Sequence, residues 1–348
     1  MNGRLRRDDR KGDSRQRAHR AVPIIPTADP VACSALIGNG DESGDTVTPI
    51  RTSEDKQRVN RLQIWWQTLR PKTLPAAIGP VALGQALVPQ AHFSLLTAFL
   101  CLLCALALQL AVNLANDLFD GLSGVDAADR LGPTRALQAG LLTADELRAG
   151  LAVTLGLAVA TGLWLILFGH WLLWVLGALA LLGVLGYSGG ARPYASLGLG
   201  EFAVWLFFGP VAVLGGMLAQ RSPVTGEAAI AAALVGLPIA AILIVNNLRD
   251  RFTDARAGKH TLAVRLGPRP TRALFALFTL GALFAAMPLD PHPALWAAWT
   301  VTGAAALLLN ARLLRSDGSA LNPLLGQTAA FSMLFAFWLA LRFAWALP

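Results

Sequence analysis

The chain has 348 residues, 55% of them apolar and 14% charged, with a formal net charge of +8, whereas soluble domains carry about 25% charged residues. This excludes an ordinary soluble domain and indicates a polytopic membrane protein. The positive charge does not imply a nucleic-acid partner, because the basic residues sit in short loops beside apolar segments, where they set topology. The three cysteines make no disulfide framework, and the five scattered histidines show no metal-ligand spacing.

Residues 1–60 mix Arg, Asp, Ser, Pro and Gly and contain no apolar run long enough for a signal peptide. They are expected to form a disordered cytoplasmic tail ahead of a transmembrane domain over 61–348. Trp65, Trp66, Arg70 and Lys72 then form an interfacial collar of aromatic and basic groups. Apolar runs predict about nine transmembrane helices, near 73–89, 93–116, 147–168, 171–187, 199–219, 228–248, 272–287, 294–314 and 323–346. The expected fold is all-α, a helical bundle around a central cavity. With nine spans, most loop Arg and Lys fall on one side and only Arg221 on the other. That bias predicts a cytoplasmic N-terminus and an external C-terminus.

Two of these spans end in acidic clusters. The second delivers Asn113, Asn116, Asp117 and Asp120, followed by Asp126, Asp129, Arg130 and Arg135. The sixth delivers Asn246, Asn247, Asp250 and Asp254, followed by a loop containing Arg256 and Lys259. Residues three and four apart share a helix face, so each cluster projects from one side of its helix end. Both ends fall on the cytoplasmic side. An isolated carboxylate at the bilayer centre costs roughly 2.5–3.5 kcal/mol on insertion scales and less near the interface. Several together need compensation, and a hard divalent cation such as Mg²⁺ supplies it by joining carboxylates to substrate phosphates.

Arg130, Arg135, Arg192, Arg256 and Lys259 are placed to take the remaining phosphate charge, Arg by bidentate contact. The apolar bundle would house a long hydrocarbon tail. Together these features point to a lipid diphosphate substrate in the bilayer. Arg249 and Arg251, beside Asp250, read as topology signals. Asp145 and Glu146 read as acids in the first turn of the third span, where the helix dipole favours them.

Four stretches resemble the UbiA superfamily of intramembrane prenyltransferases, and within it the branch that prenylates 1,4-dihydroxy-2-naphthoate. They are Leu69 to Pro75; Asn116 to Asp120 with Gly124, Asp126, Asp129, Arg130, Gly132, Pro133 and Arg135; Tyr187 to Glu201; and Asn246 to Asp250 with Asp254, Gly258, Lys259 and Arg265 to Gly267. The resemblance runs from about residue 64 to the C-terminus and leaves out the tail. It implies one metal-diphosphate site at Asn116, Asp120 and Asp126 and another at Asn246, Asp250 and Asp254, with Asp117 as a helper in the first. Lys72, Arg130, Arg135, Arg192 and Lys259 are implied as contacts to phosphate or to the acidic acceptor, and Tyr187 as a residue facing the site. It also implies Mg²⁺ as cofactor, and transfer of a polyprenyl group from its diphosphate to 1,4-dihydroxy-2-naphthoate with loss of carbon dioxide and pyrophosphate. 4-Hydroxybenzoate and homogentisate are the alternative acceptors.

Two rival readings are weaker on the residues. A phosphatidyl-type phosphotransferase fits Asp117 to Gly121 but lacks the Ala-Arg pair expected next. An ion-coupled transporter would also bury carboxylates, but near the midplane rather than at helix ends.

Overall fold

The computed structural model describes residues 53–123, 131–132, 135–190, 193–289 and 295–346. The residues before Ser53, most of the expected tail, lie outside this set. The described residues form eleven α-helices joined by turns and short 3₁₀ segments. Helix α1 (Ser53–Leu69) precedes the bundle. The nine predicted spans correspond one for one to α2 (Pro75–Ala86), α3 (Leu95–Ser123), α4 (Ala144–Phe168), α5 (Leu173–Ser188), α6 (Gly200–Ala219), α7 (Gly226–Arg256), α9 (Pro268–Leu289), α10 (Trp296–Arg315) and α11 (Asn322–Ala346). The short α8 (Leu262–Leu266) lies between α7 and α9. Seven are long and apolar enough to cross a membrane.

Helices α2 and α5 are shorter, at 12 and 16 residues. At 1.5 Å per residue α2 is only about 18 Å long, well under a hydrocarbon core of ~30 Å. Pro75 opens it and Pro80 interrupts its hydrogen-bond ladder. Its position in the interior compensates, since Ala76, Ala77, Val81 and Leu83 are all buried.

Helix α7 is the axis of the bundle: 67% of its apolar window is buried, against 22% for the peripheral α4. It packs on α6 and α11, and α2 packs on α6 and α11 in turn. Close approach depends on small residues, because between membrane helices packing substitutes for a hydrophobic driving force. A Cβ on Gly236 of α7 would lie 2.6 Å from the Trp205 carbonyl oxygen of α6, and one on Gly209 would lie 2.6 Å from the Ala232 oxygen. These are backbone atoms that no side-chain rotation can move. At the same crossing the α6 ladder opens into a π turn over Phe207–Val211 around Pro210.

The polar ends are capped from within. Thr143 and Glu146 form a reciprocal capping box at the start of α4, with Asp145 in the same first turn. Arg61 of α1 pairs with Glu146. Between α10 and α11, Asp317 accepts two hydrogen bonds from Arg251 of α7, at 2.5 and 2.7 Å. The Arg251 guanidinium holds the Asp317 carboxyl below its ordinary value of 3.8, assisted by the Gly318 N–H.

Gly236→Leu is expected to force α6 and α7 apart and lower the thermal unfolding midpoint in detergent by roughly 3–10 °C, as overpacking of a close contact costs ~1–3 kcal/mol. An unchanged midpoint would refute this crossing. Because the Asp317 pKa is depressed on folding, the stability it contributes is complete above its unfolded value and disappears as pH falls through the folded one. Melting curves should therefore separate wild type from Asp317→Asn near neutrality and draw together as pH falls below the unfolded value of 3.8. A gap independent of pH would show that the ion pair contributes nothing.

Candidate active site

The ends of α3 and α7 open onto one cavity of about 1100 Å³. Its mouth is polar and its depth apolar, walled by Val81, Leu108, Leu165, Leu176, Phe207 and Phe208. Of the residues expected at the site, Lys72, Asn116, Asp120, Arg135, Tyr187, Asn246, Asp250, Asp254 and Lys259 all line it. Asp126, Arg130 and Arg192 lie outside the described residues.

Asp117 is placed differently from Asp120. Its two oxygens accept the backbone N–H groups of Ala136 and Leu137 at 3.1 and 3.2 Å, and its side chain is buried. It is absent from the cavity wall. A step of one residue turns a helical side chain by about 100°, so Asn116 and Asp120 face the cavity while Asp117 faces the loop. Asp117 anchors that loop, and thereby aims Arg135 back at α3. There Arg135 donates to the Asn116 carbonyl and to Asp120 Oδ2, both at 2.5 Å. The Asn116 side-chain oxygen accepts the Ser188 hydroxyl at 2.8 Å.

The turn after α7 completes this half. Gly258 has φ 72°, a left-handed conformation that glycine adopts without a Cβ penalty. The chain then folds back, with the Lys259 N–H on the Asp254 carbonyl at 2.9 Å. Lys259 Nζ arrives 3.9 Å from Asp120 Oδ2. A basic residue of the second motif thus meets an acid of the first, and the two clusters lie at one end of the bundle.

Lys72 is positioned by the start of α2. Thr73 Oγ1 donates to the Arg70 carbonyl at 2.9 Å and accepts from both Gln109 and Asn113 of α3 at 3.0 Å. Asn113 also donates to the Leu69 carbonyl at 2.9 Å. Arg70 takes a left-handed backbone, φ 53°, at the head of this turn and also lines the cavity. Tyr187 stands edge-on to Tyr194, with ring centroids 5.5 Å apart, and Tyr194 donates its hydroxyl proton to the Gly183 carbonyl at 2.6 Å.

Arg249 corrects the sequence reading. It is no topology signal but a buried member of the site, 1% exposed. Its Nε and Nη2 hold both Asp250 oxygens at 2.7 and 2.5 Å, Nη2 also reaches Asn246 Oδ1 at 2.8 Å, and Nη1 reaches Asn322 Oδ1 at 2.9 Å. Asn322, at the start of α11, donates onward to the Leu131 carbonyl beside the first cluster, at 3.1 Å. Sequence reasoning missed Asn322 altogether, because it stands alone ahead of an apolar run. Arg249 carried a usable signal: a cation inside the helical register of an acidic stripe, not in the loop beyond it.

The oxygen donors at the mouth suit a hard cation. Among the described residues, no three Asp, Glu, His or Cys side chains converge closely enough to hold an ion alone. The acids instead stand on two sides of a shared opening, an arrangement that phosphate oxygens between them would complete.

The chain is 36% identical over 290 residues to 1,4-dihydroxy-2-naphthoate octaprenyltransferase of Escherichia coli, covering 80% of this chain and 94% of that one. It is 39% identical over 282 residues to the protein of the same name from Mycobacterium tuberculosis, covering 78% and 94%. Among solved structures, a UbiA homolog from Archaeoglobus fulgidus bound to GPP and Mg²⁺ superposes with a TM-score of 0.58 at 18% identity, over 81% of this chain and all of that one. The apo UbiA homolog from Aeropyrum pernix gives 0.58 at 19% identity, over 78% and 96%. The UbiA prenyltransferase family profile matches residues 77–338, and with the bundle, the paired acidic helix ends and these relatives, the chain belongs to the UbiA prenyltransferase family.

Proposed function

We propose that this protein transfers a polyprenyl group from an allylic polyprenyl diphosphate to 1,4-dihydroxy-2-naphthoate, releasing pyrophosphate and carbon dioxide and forming the hydroquinone form of demethylmenaquinone. One observation carries the reading: Lys259 lies 3.9 Å from Asp120 at the polar mouth of an apolar cavity, so the two acidic helix ends serve one opening. Extensive identity to named naphthoate prenyltransferases supports the choice of acceptor. The protein resides in the cell's inner membrane with this mouth toward the cytoplasm. That orientation follows the excess of Arg and Lys in the loops flanking the site.

Asn116 and Asp120 on one side, with Asp126, and Asn246, Asp250 and Asp254 on the other are the groups that would hold Mg²⁺ and the diphosphate. Bound there, the metal would neutralise charge developing on the leaving diphosphate. Lys72, Arg130, Arg135, Arg192 and Lys259 contribute fixed positive charge for the phosphates and the acceptor's carboxylate. Arg135 and Arg249 hold the Asp120 and Asp250 carboxylates at fixed orientations, and an ionised carboxylate retains further lone pairs beyond such a contact. The apolar wall takes the polyprenyl tail and keeps water from the allylic carbon, where water would compete with the aromatic ring carbon for the electrophile. The new carbon–carbon bond forms as the allylic carbon–oxygen bond breaks, and the departing pyrophosphate carries that bonding pair; carbon dioxide leaves as the carbon–carboxyl bond breaks, its pair staying with the ring to give the aromatic hydroquinone.

Purified protein given a polyprenyl diphosphate, 1,4-dihydroxy-2-naphthoate and Mg²⁺ is expected to yield the prenylated product and pyrophosphate, with activity lost in a chelator and regained on adding Mg²⁺. Product from 4-hydroxybenzoate or homogentisate in its place would move the protein to another acceptor class. Separately, Asp120→Asn and Asp250→Asn should each reduce turnover by about 100-fold or more, since each removes a charge from the metal-diphosphate site, while the purified variants still elute as folded protein. Undiminished turnover in both would dismiss their metal role.

A further inference from the structure

A buried carboxyl group near the site takes no part in the mechanism above. Glu201, in the first turn of α6, is 2% exposed and is not on the cavity wall. Ionisable groups inside membrane bundles are costly and mark functional positions. Its Oε1 accepts a hydrogen bond from Asn247 Nδ2 at 2.9 Å, while its buried Oε2 has no partner among the described residues. Asn247 itself lines the cavity. It lies one residue, and so about 100° around the helix, from Asn246 in the acidic stripe.

This bond fixes the direction of the Asn247 amide. Its N–H end is turned toward Glu201, which leaves its carbonyl oxygen as the end for the cavity that Asn247 lines. An acceptor without a donor repels phosphate and carboxylate oxygens but receives a hydroxyl proton. Tyr187, an aromatic face on the same cavity, stands in this corner, its hydroxyl 3.9 Å from where a Gly200 Cβ would be. Asn247 and Tyr187 thus give one cavity both a hydrogen-bond acceptor and an aromatic face, the pairing that a hydroxylated ring calls for.

We infer that Asn247 binds the aromatic acceptor by accepting a hydrogen bond from a ring hydroxyl, and that Glu201 is the positioning residue that turns the Asn247 carbonyl toward it. The inference rests on the prenyltransferase reading above and names the part of the site that reads the acceptor. The opposite signs of the two walls orient the ring, its hydroxyl toward Asn247 and its carboxylate toward the basic mouth.

Steady-state kinetics on the purified full-length protein with Mg²⁺, a polyprenyl diphosphate and 1,4-dihydroxy-2-naphthoate tests this. Asn247→Ala should raise the acceptor KM about tenfold, the scale of one lost hydrogen bond in a dry site, with the diphosphate KM and the Mg²⁺ dependence little changed. Glu201→Leu should reproduce that shift, and Glu201→Gln, whose amide oxygen still accepts the Asn247 N–H, should bring the acceptor KM back to within about threefold of wild type. Melting midpoints separate these effects from misfolding. If Glu201→Leu fails to fold, the Asn247→Ala and Glu201→Gln pair carries the test. An unchanged acceptor KM in Asn247→Ala, or a change falling instead on the diphosphate or Mg²⁺, overturns the inference while wild-type turnover leaves the functional reading standing. Absence of prenylated product from the wild type would reject that reading itself.

Discussion

The structure turns on the need to hold carboxylates at the edge of an oily bundle. Asp120 and Asp250 are each gripped by an arginine, and both pairs are largely shielded from water. Desolvating an ion pair consumes much of its Coulomb attraction, so such pairs are weak sources of stability. Removing one partner is a different matter, because it leaves a bare charge in a low dielectric. The pairs therefore fix geometry more than they add stability. Arg135 is aimed by a loop that Asp117 anchors, and Arg249 by Asn246 and Asn322. Through Asn322 and the Leu131 carbonyl, the second acidic end is tied to the loop of the first.

The apolar part of the bundle has the complementary task of leaving space. Glycines 209 and 236 let α6 and α7 touch backbone to backbone, and Gly84 of α2 meets the Val213 backbone of α6 in the same way. Close packing on that side leaves α3, α4 and α5 standing around the opening, where Gly162 and Gly177 contribute surface without bulk. The cavity therefore passes from carboxylates to alkyl side chains along one path. Such a gradient matches an amphiphile with a diphosphate head and hydrocarbon tail, whose allylic carbon would lie at the boundary between the two.

Much of this was legible in the chain. Apolar run length located nine helices, seven of them long and apolar enough to cross a membrane, and the i, i+4, i+8 spacing of Asn246, Asp250 and Asp254 put them on one stripe that the structure places on the cavity wall. Spacing could not separate Asn116 from Asp117, because adjacent polar residues at a helix end look alike until the packing around them is known. Asp117 finds two backbone donors and Asn116 finds a serine and the cavity. Arg249 was misread for the same reason. Arginines flanking membrane helices usually report topology, and only the packing of α11 against α7 shows that this one points inward. Contacts made across distant elements, Asn322 to Leu131 above all, leave no local pattern.

The two asparagines of α7 show how one helix end serves two chemistries. Asn246 meets Arg249, which can only donate, so its amide must offer oxygen there; Asn247 meets a carboxyl oxygen of Glu201, so its amide must offer N–H there. Side chains of the same type are thereby set in opposite senses by their partners, one residue apart. The stripe beginning at Asn246 is flanked by cations and suits an anionic head group. The neighbouring face, beginning at Asn247, lies beside a buried acid and the tyrosine pair, and it disfavours anions. A substrate pair made of a diphosphate and a hydroxylated ring needs this partition, since two ligands that both carry negative charge must be kept from exchanging places.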